Sequence, residues 1–310
     1  MTSAVRRPRA ALVAAVLVLA APLAACSSGK PDASSSSDRS GSAAPSSPGS
    51  SAPGASSGSS SPGSASPTEA SRPAAPPAPR LRACYLLSTA QLTQPTNQSR
   101  PVSCSGRHTA QTVYVGRLDT VIDGHSVAVD SETVQRQLQS TCPRKLSAYL
   151  GGSGTARALS RFNVVWYSPT LEQSDAGADW FRCDAIAFAG TDQLYPLPDT
   201  KKLAGVLGDG GALDTYGLCG TAAPGERGFE RVICGRKHSW RAFTTVGLPS
   251  GGDDYPGTDA VRRGGDDQCK KAAQARAKDK LKFRYGWEWP SRAQWERNQH
   301  YGYCWVPDPG

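Results

Sequence analysis

Most of this sequence lacks the local motifs that mark common enzyme classes. Residues 81–307 contain no G-x-S-x-G nucleophile elbow, no H-E-x-x-H metalloprotease motif and no glycine-rich phosphate loop. These absences favour a protein that is not an enzyme and has no catalytic residues, cofactor or metal. A Ser-His-Asp triad needs no local motif, so a hydrolase without a recognisable motif stays open as an alternative.

The sequence also lacks an apolar stretch long enough to anchor it across a bilayer. Residues 10–21 form the apolar segment near the N-terminus, whereas a spanning helix needs roughly twenty apolar residues. Arginines precede this segment, and Leu23-Ala24-Ala25-Cys26 follows it. This order predicts a lipoprotein signal peptide at residues 1–25, with Cys26 as the lipidated first residue of the mature chain. Its acyl chains would hold the protein at the extracytoplasmic face of the cell membrane.

Residues 27–80 lack aromatic side chains and consist mainly of serine, proline, glycine and alanine. Such a segment buries too little apolar surface to offset the entropy of ordering. Residues 26–80 are therefore predicted to be the lipidated cysteine followed by a disordered tether.

The charge balance is basic, with a formal net charge of +9. Outside a cell, a basic excess favours contact with anionic lipid or wall polymers. The predicted partners are the membrane, through the lipid anchor, and envelope proteins or cell-wall polymer; export argues against nucleic acid. The densest basic run, residues 270–284, is predicted to be a helix with a solvated basic face.

The other eight cysteines fall into two matching sets: Cys84, Cys104, Cys142 and Cys183, then Cys219, Cys234, Cys269 and Cys304. Two longer spacings repeat with them. Val102-x-Cys104-x3-His108 recurs as Val232-x-Cys234-x3-His238, and Phe162-x3-Trp166-x2-Pro169-x13-Cys183 recurs as Phe283-x3-Trp287-x2-Pro290-x13-Cys304. Coincident spacings of this length predict a duplicated domain, with copies at residues 81–190 and 216–307.

Eight cysteines in an exported chain indicate four disulfides. A common pattern in both copies leaves three possible pairings. We favour first with second and third with fourth, which gives Cys84–Cys104, Cys142–Cys183, Cys219–Cys234 and Cys269–Cys304.

The local patterns predict an α+β fold class, with two tandem small disulfide-stabilised domains after the disordered linker. Strands are predicted at residues 83–87, 109–115, 180–188, 239–246 and 301–306. Val134, Leu138 and Cys142 recur at helical spacing. That helix would start at Asp130 or Ser131, meet a break or restart at Pro143, and stop at Gly151-Gly152. Its counterpart would start at Asp266 or Asp267 and end near Leu281.

Two histidines and three tryptophans are the candidate site residues. His108 and His238 each follow a cysteine by four positions, which predicts a buried hydrogen bond that closes the strand, with a ligand or proton-linked role as the alternative. Trp289, Trp295 and Trp305 have no aromatic counterpart in the first copy and are predicted to form an exposed patch. Aromatic faces stack on sugar rings, so a cell-wall glycan-binding module is an alternative function.

The repeated pattern of Val-x-Cys-x3-His, a helix cysteine, aromatic-x2-Pro and a final cysteine resembles the septum formation-related domain of actinobacterial exported proteins. Members commonly carry an acidic residue soon after the motif histidine, where Gln111 and Arg241 stand in this sequence. The resemblance implies two copies of an extracytoplasmic, non-enzymatic domain with disulfides. Together with the residues it indicates a membrane-anchored binding or scaffold module, with septum formation or cell-wall growth as the role that the resemblance suggests.

Overall fold

Two antiparallel sheets, each with a long helix against it, organise the chain. A computed structural model describes residues 74–208, 211–249 and 254–308. The predicted signal peptide, Cys26 and most of the predicted tether lie outside the described residues. Helices and sheets are both present, with four disulfides, and the sheet pairings are antiparallel.

The first sheet has the strand order β1-β2-β6-β5. The strands of this half are β1 Cys84–Tyr85, β2 Ala110–Arg117, β3 Val121–Ile122, β4 His125–Ser126, β5 Phe162–Tyr167 and β6 Trp180–Ala187. Strands β3 and β4 form a separate small sheet. The sequence predicted β1, β2 and β6 to within two or three residues at each end, and it missed β3, β4 and β5.

The second sheet has the order β10-β11-β9-β7-β8. Its strands are β7 Leu218–Gly220, β8 Arg231–Ile233, β9 Trp240–Gly247, β10 Gly286–Glu288 and β11 Tyr301–Pro307. Read from β7, the order β7-β9-β11-β10 repeats that of the first sheet. The extra edge strand has a counterpart too, because the Cys219–Val232 pairing of β7 and β8 matches an isolated bridge between Cys84 and Val102.

An irregularity of the ladder also repeats. The β2–β6 register passes from the Thr112–Asp184 pair to the Tyr114–Cys183 pair and skips Val113. The β9–β11 register passes from Ala242–Trp305 to Thr244–Cys304 and skips Phe243. Such bulges bend a strand and re-aim its side chains. In both halves the bulge lies beside the cysteine that bonds to the long helix.

The helices are α1 Glu132–Leu150, α2 Gly154–Ala158, α3 Leu171–Asp175, α4 Thr200–Leu203, α5 Leu213–Tyr216, α6 Thr258–Arg276 and α7 Arg292–Trp295, with a 3₁₀ turn at Thr89–Gln91. Ser131 caps α1 as predicted, because its hydroxyl accepts a hydrogen bond from the Val134 N–H. Gly151 and Gly152 end the helix with positive φ. The expected interruption at Pro143 was wrong, since α1 runs through it with buried residues on both sides, Leu138 and Leu146.

The prediction for the second long helix was wrong at both ends. Helix α6 begins at Thr258, before the predicted caps Asp266 and Asp267, and ends at Arg276. Gly264 and Gly265 lie inside the helix despite their low helix propensity. A Cβ on Gly265 would lie 2.2 Å from the Trp287 ring, so the glycine allows this tryptophan to pack directly on the helix. The basic side chains that follow, Lys278, Lys280 and Lys282, are exposed as predicted but not helical.

All four disulfides join the cysteines that the sequence paired, Cys84–Cys104, Cys142–Cys183, Cys219–Cys234 and Cys269–Cys304. The second of these joins α1 to β6, and the fourth joins α6 to β11. Each long helix is therefore bonded covalently to the central part of its sheet.

The two halves share backbone hydrogen bonds and a core. Leu218 N donates to Leu159 O, and Arg161 N donates to Tyr216 O, both over 2.7 Å. Ile233 of the second half packs in the same buried cluster as Leu138 and Val164 of the first. The described residues form one compact unit. Among them, no helix combines the length and the apolar character that a bilayer-spanning segment needs.

Candidate functional site: a cleft above a buried ion pair

Strand β6 sends alternate side chains to opposite faces of the first sheet. Cys183 points to α1, as its disulfide requires, and Phe181 and Ala185 share the core cluster that covers α1. Trp180, Arg182 and Asp184 therefore lie on the other face. All three are at most 9% exposed.

The guanidinium of Arg182 lies between two aromatic rings on that face. Its central carbon is 3.9 Å from the Tyr85 ring centroid and 4.9 Å from that of Tyr167. Its Nη2 donates a hydrogen bond of 2.9 Å to Asn97 Oδ1. Cation–π contacts and an oxygen acceptor thus hold a cation that is 3% exposed.

Asp184 lies beside it and is fully buried. Its Oδ2 is 3.1 Å from Arg182 Nε, but the two groups are not aligned for a hydrogen bond, so the contact is an ion pair. Thr112 donates a hydrogen bond of 2.8 Å to Asp184 Oδ1. Burial raises the pKa of Asp184 to about 6, against the opposing effects of Arg182 and the Thr112 hydrogen bond.

An open cleft of about 590 Å³ lies over this face. We call it the arginine cleft; its described lining residues are 77–85, 97–99, 101, 102, 104, 180 and 182. Arg80, Arg82 and Arg182 are among them, and none of the described lining residues is acidic. Pro77, Pro79, Leu81 and Val102 supply apolar walls.

The second half differs at the positions that form the floor of this cleft. Tyr303 and Trp305 occupy the positions that correspond to Arg182 and Asp184, and both are buried. Trp305 Nε1 donates a hydrogen bond of 3.1 Å to Glu288 Oε2, and Arg231 forms a 2.8 Å ion pair with Glu288. Aromatic rings thus fill the face that is open in the first half.

The two predicted histidines make the same local contact. His108 Nδ1 lies 2.9 Å from Gly106 O, and His238 Nδ1 lies 2.7 Å from Arg236 O. A carbonyl only accepts, so Nδ1 carries the proton in both rings. Both side chains are buried, and each closes the turn before β2 or β9. This is the structural role that their repeated spacing predicted.

The described residues bring together one group with the composition of a metal site, Cys219, His238 and Asp308. Cys219 is bonded to Cys234, so its sulfur is not a thiolate ligand. His238 Nε2 lies 3.6 Å from Asp308 Oδ2, and Arg241 forms a short ion pair with the same carboxylate. These contacts occupy Asp308 without a metal.

The prediction of an exposed tryptophan patch was wrong for two of its three members. Trp295 is 1% exposed and Trp305 is fully buried, whereas Trp289 is 36% exposed. Trp295 packs in the core under α6 and stacks on His300 at 4.3 Å between ring centroids. The three tryptophans therefore do not form one exposed patch, and Trp289 alone of them presents its ring to solvent.

The residues of the arginine cleft escaped the sequence analysis. The signal that could have found Arg182 and Asp184 was their spacing. They carry opposite charges and lie on either side of Cys183 in a predicted strand, and Cys183 was predicted to bond to the helix. The cleft walls come from a different part of the chain, so the sequence pattern contained no sign of them.

Comparison with known proteins assigns most of the described residues to one family. A family model described as "Septum formation" matches residues 82–304. No curated protein and no solved structure matches the chain. The match begins before the first disulfide and ends at the last cysteine, so it includes most of both sheets and the floor of the arginine cleft, while residues 77–81 of the cleft wall precede it. The protein therefore belongs to the septum formation family.

Proposed function

We propose that the protein is a lipid-anchored, non-enzymatic binding module that acts at the extracytoplasmic face of the membrane during septum formation. The observation that carries this proposal is the family match over residues 82–304. Its description suggests a role related to septum formation. The four disulfides support an oxidising compartment.

The anchor is supported by sequence alone. Arg6, Arg7 and Arg9, the apolar residues 10–21 and the segment Leu23–Cys26 follow the order of a lipoprotein signal. A tether rich in serine, proline, glycine and alanine after the acylated cysteine would let the folded part reach into the wall.

We also infer that the two halves are copies of one module. The repeated cysteine spacing, the shared strand order, the equivalent bulges and the common histidine contact support this duplication. The copies differ in the face opposite the long helix, which is charged and open in the first half and filled in the second. On this view the first copy binds the ligand, while the second copy stabilises the first copy.

The experiment is live-cell imaging of a fluorescent fusion at the C-terminus through growth and division. We expect enrichment at new cross-walls for the unaltered chain. Cys26→Ala should remove the protein from the membrane fraction and abolish this enrichment, whereas Ser27→Ala should change neither. A uniform signal through division would contradict the role in septation, and membrane retention of Cys26→Ala would contradict the anchor.

A further inference from the structure

We propose that the arginine cleft binds a phosphate group of a cell-envelope molecule. This inference rests on the proposed function, because it names the class of ligand that the proposed binding module takes. The chemistry of the cleft stands on its own contacts, and it can be tested in solution without any cell.

The charge distribution of the cleft selects an anion. Arg80 and Arg82 are exposed on its wall, and neither forms an ion pair with an acidic group of the described residues, although the Arg82 side chain also interacts with the Tyr149 hydroxyl. Arg182 lies in its floor, and the acid that pairs with it, Asp184, is buried beneath. An entering ligand therefore meets Arg80 and Arg82 without a competing carboxylate, whereas Arg182 is already paired with Asp184. Arginine presents several donors at fixed angles and suits phosphate oxygens.

A buried donor without a partner points to the same conclusion. Trp180 lines the cleft and is 9% exposed. Its indole N–H has no hydrogen-bond partner among the described residues. Buried donors are nearly always satisfied in folded proteins, and an unsatisfied one needs an explanation. The N–H is closed off from solvent, so an oxyanion in the cleft would supply the missing acceptor once the lining side chains shift to admit it.

The arginine cleft is larger than the space that a carboxylate group occupies. The cleft is also lined by Asn97, Gln98 and Ser99. Its polar groups therefore come from three segments of the chain: the segment of Arg80 and Arg82, this one, and strand β6. A tetrahedral phosphate accepts hydrogen bonds in more directions than a planar carboxylate does. The volume of about 590 Å³ lies within the range of sites for small ligands, about 300–1,000 Å³.

The walls indicate that the phosphate belongs to a larger molecule. Leu81 and Val102 line the cleft and are 56% and 39% exposed. Exposed apolar side chains beside a charged floor fit a ligand with an uncharged part beyond its phosphate. A second cleft, of about 520 Å³, contains Lys201 and Lys202. Its described lining has no buried donor without a partner, which makes it a matched control.

The test follows the seven tryptophan indole N–H signals of the full ¹⁵N-labelled chain by nuclear magnetic resonance during addition of inorganic phosphate. Trp180→Phe assigns the relevant signal and keeps an aromatic ring at this position. We expect this signal to move saturably. Arg80→Gln/Arg82→Gln should weaken binding by about tenfold, because charge-assisted hydrogen bonds are lost.

The matched variant Lys201→Gln/Lys202→Gln removes the same charge elsewhere and should leave the titration unchanged. Circular dichroism melting shows whether each variant is folded. The proposal is overturned if the Trp180 signal does not move, or if both double variants weaken binding equally. It is also overturned if acetate binds as tightly as phosphate, since the cleft would then select carboxylates.

Two sources of phosphate are separated by the same signal. A soluble glycerol phosphodiester represents a wall polymer, and short-chain phosphatidylglycerol represents a lipid headgroup. Tighter binding of either one than of inorganic phosphate supports the proposal and identifies the source. Weaker binding of both would contradict it. A failed titration would leave the localisation experiment unaffected, so the two proposals fail separately.

Discussion

Arg182 Nε lies 3.1 Å from Asp184 Oδ2, and both side chains are almost completely buried. The pair lies two residues apart on one strand face, with the disulfide cysteine Cys183 pointing the other way. Neither charge has water to stabilise it, so each depends on the other and on the contacts around it. The protonation of Asp184 therefore affects the stability of the whole first half.

Stability should depend on the pH through Asp184. Burial raises its pKa from 3.8 to about 6. Between these values the folded protein retains a proton that the unfolded chain has released, so the free energy of unfolding falls as the pH rises from about 4 to about 6. The full contribution of this group is about 3 kcal/mol. Urea unfolding at a series of pH values measures it.

Asp184→Asn is the control for that slope, because the amide does not titrate. Its side chain is neutral at every pH, as that of protonated Asp184 is in the folded protein below about pH 6. We expect the free energy of unfolding of the unaltered chain to fall relative to that of the variant between pH 4 and 6. Parallel pH profiles for the two proteins would contradict the raised pKa.

The two adjacent glycines of α6 should respond oppositely to alanine. A Cβ on Gly265 would lie 2.2 Å from the Trp287 ring, and overpacking of a core costs about 1–3 kcal/mol. Gly264 is exposed, and its Cβ would meet only the end of Leu248 at 3.0 Å. Gly264→Ala should therefore gain up to about 1 kcal/mol of helix propensity. Thermal melting of both variants decides this, and an equal loss in both would contradict the packing argument.

Removal of the helix-to-sheet disulfide in the first half should be more costly than removal of the shortest one. Cys142–Cys183 spans 41 positions and Cys219–Cys234 spans 15. Loop-closure entropy gives losses of about 4 and about 3 kcal/mol for the paired alanine variants. The denaturant concentrations at the unfolding midpoints of the two variants measure this difference. Peptide mapping without reduction checks the connectivity, and any bridge between the two halves would disprove it.

The three tryptophans at the C-terminal end should separate into two classes. Trp295→Ala and Trp305→Ala remove buried rings and should each cost about 3–5 kcal/mol. Trp289→Ala should cost less than about 1 kcal/mol, as surface changes usually do. Chemical denaturation measures all three. A large loss for Trp289 would show that its ring is part of the core.

The features that the sequence predicted depend on local spacing. Alternating strands around Cys183 and Cys304 and the cap at Ser131 follow from patterns within one segment, whereas the four disulfide pairs follow from the cysteine spacing that the two halves share. The start of helix α6 was predicted too late because Asp266 and Asp267 have the residue type of an N-cap, whereas the helix begins at Thr258 and packs Gly265 against Trp287 from another segment. Burial of Trp305 depends on neighbours such as Phe229, whose ring centroid is 5.4 Å away.

The position of the cleft wall has a mechanical consequence. Residues 77–82 form much of that wall, and a pull from the N-terminal side would reach them before it reaches β1. The Arg82 N–H donates to Thr112 O and the Thr112 N–H donates to Ala83 O, so β2 takes up the load at these bonds, with the Cys84–Cys104 disulfide directly behind them. Tension on the N-terminal segment would thus displace residues 77–81 first and open the cleft, and ligand release would become sensitive to force.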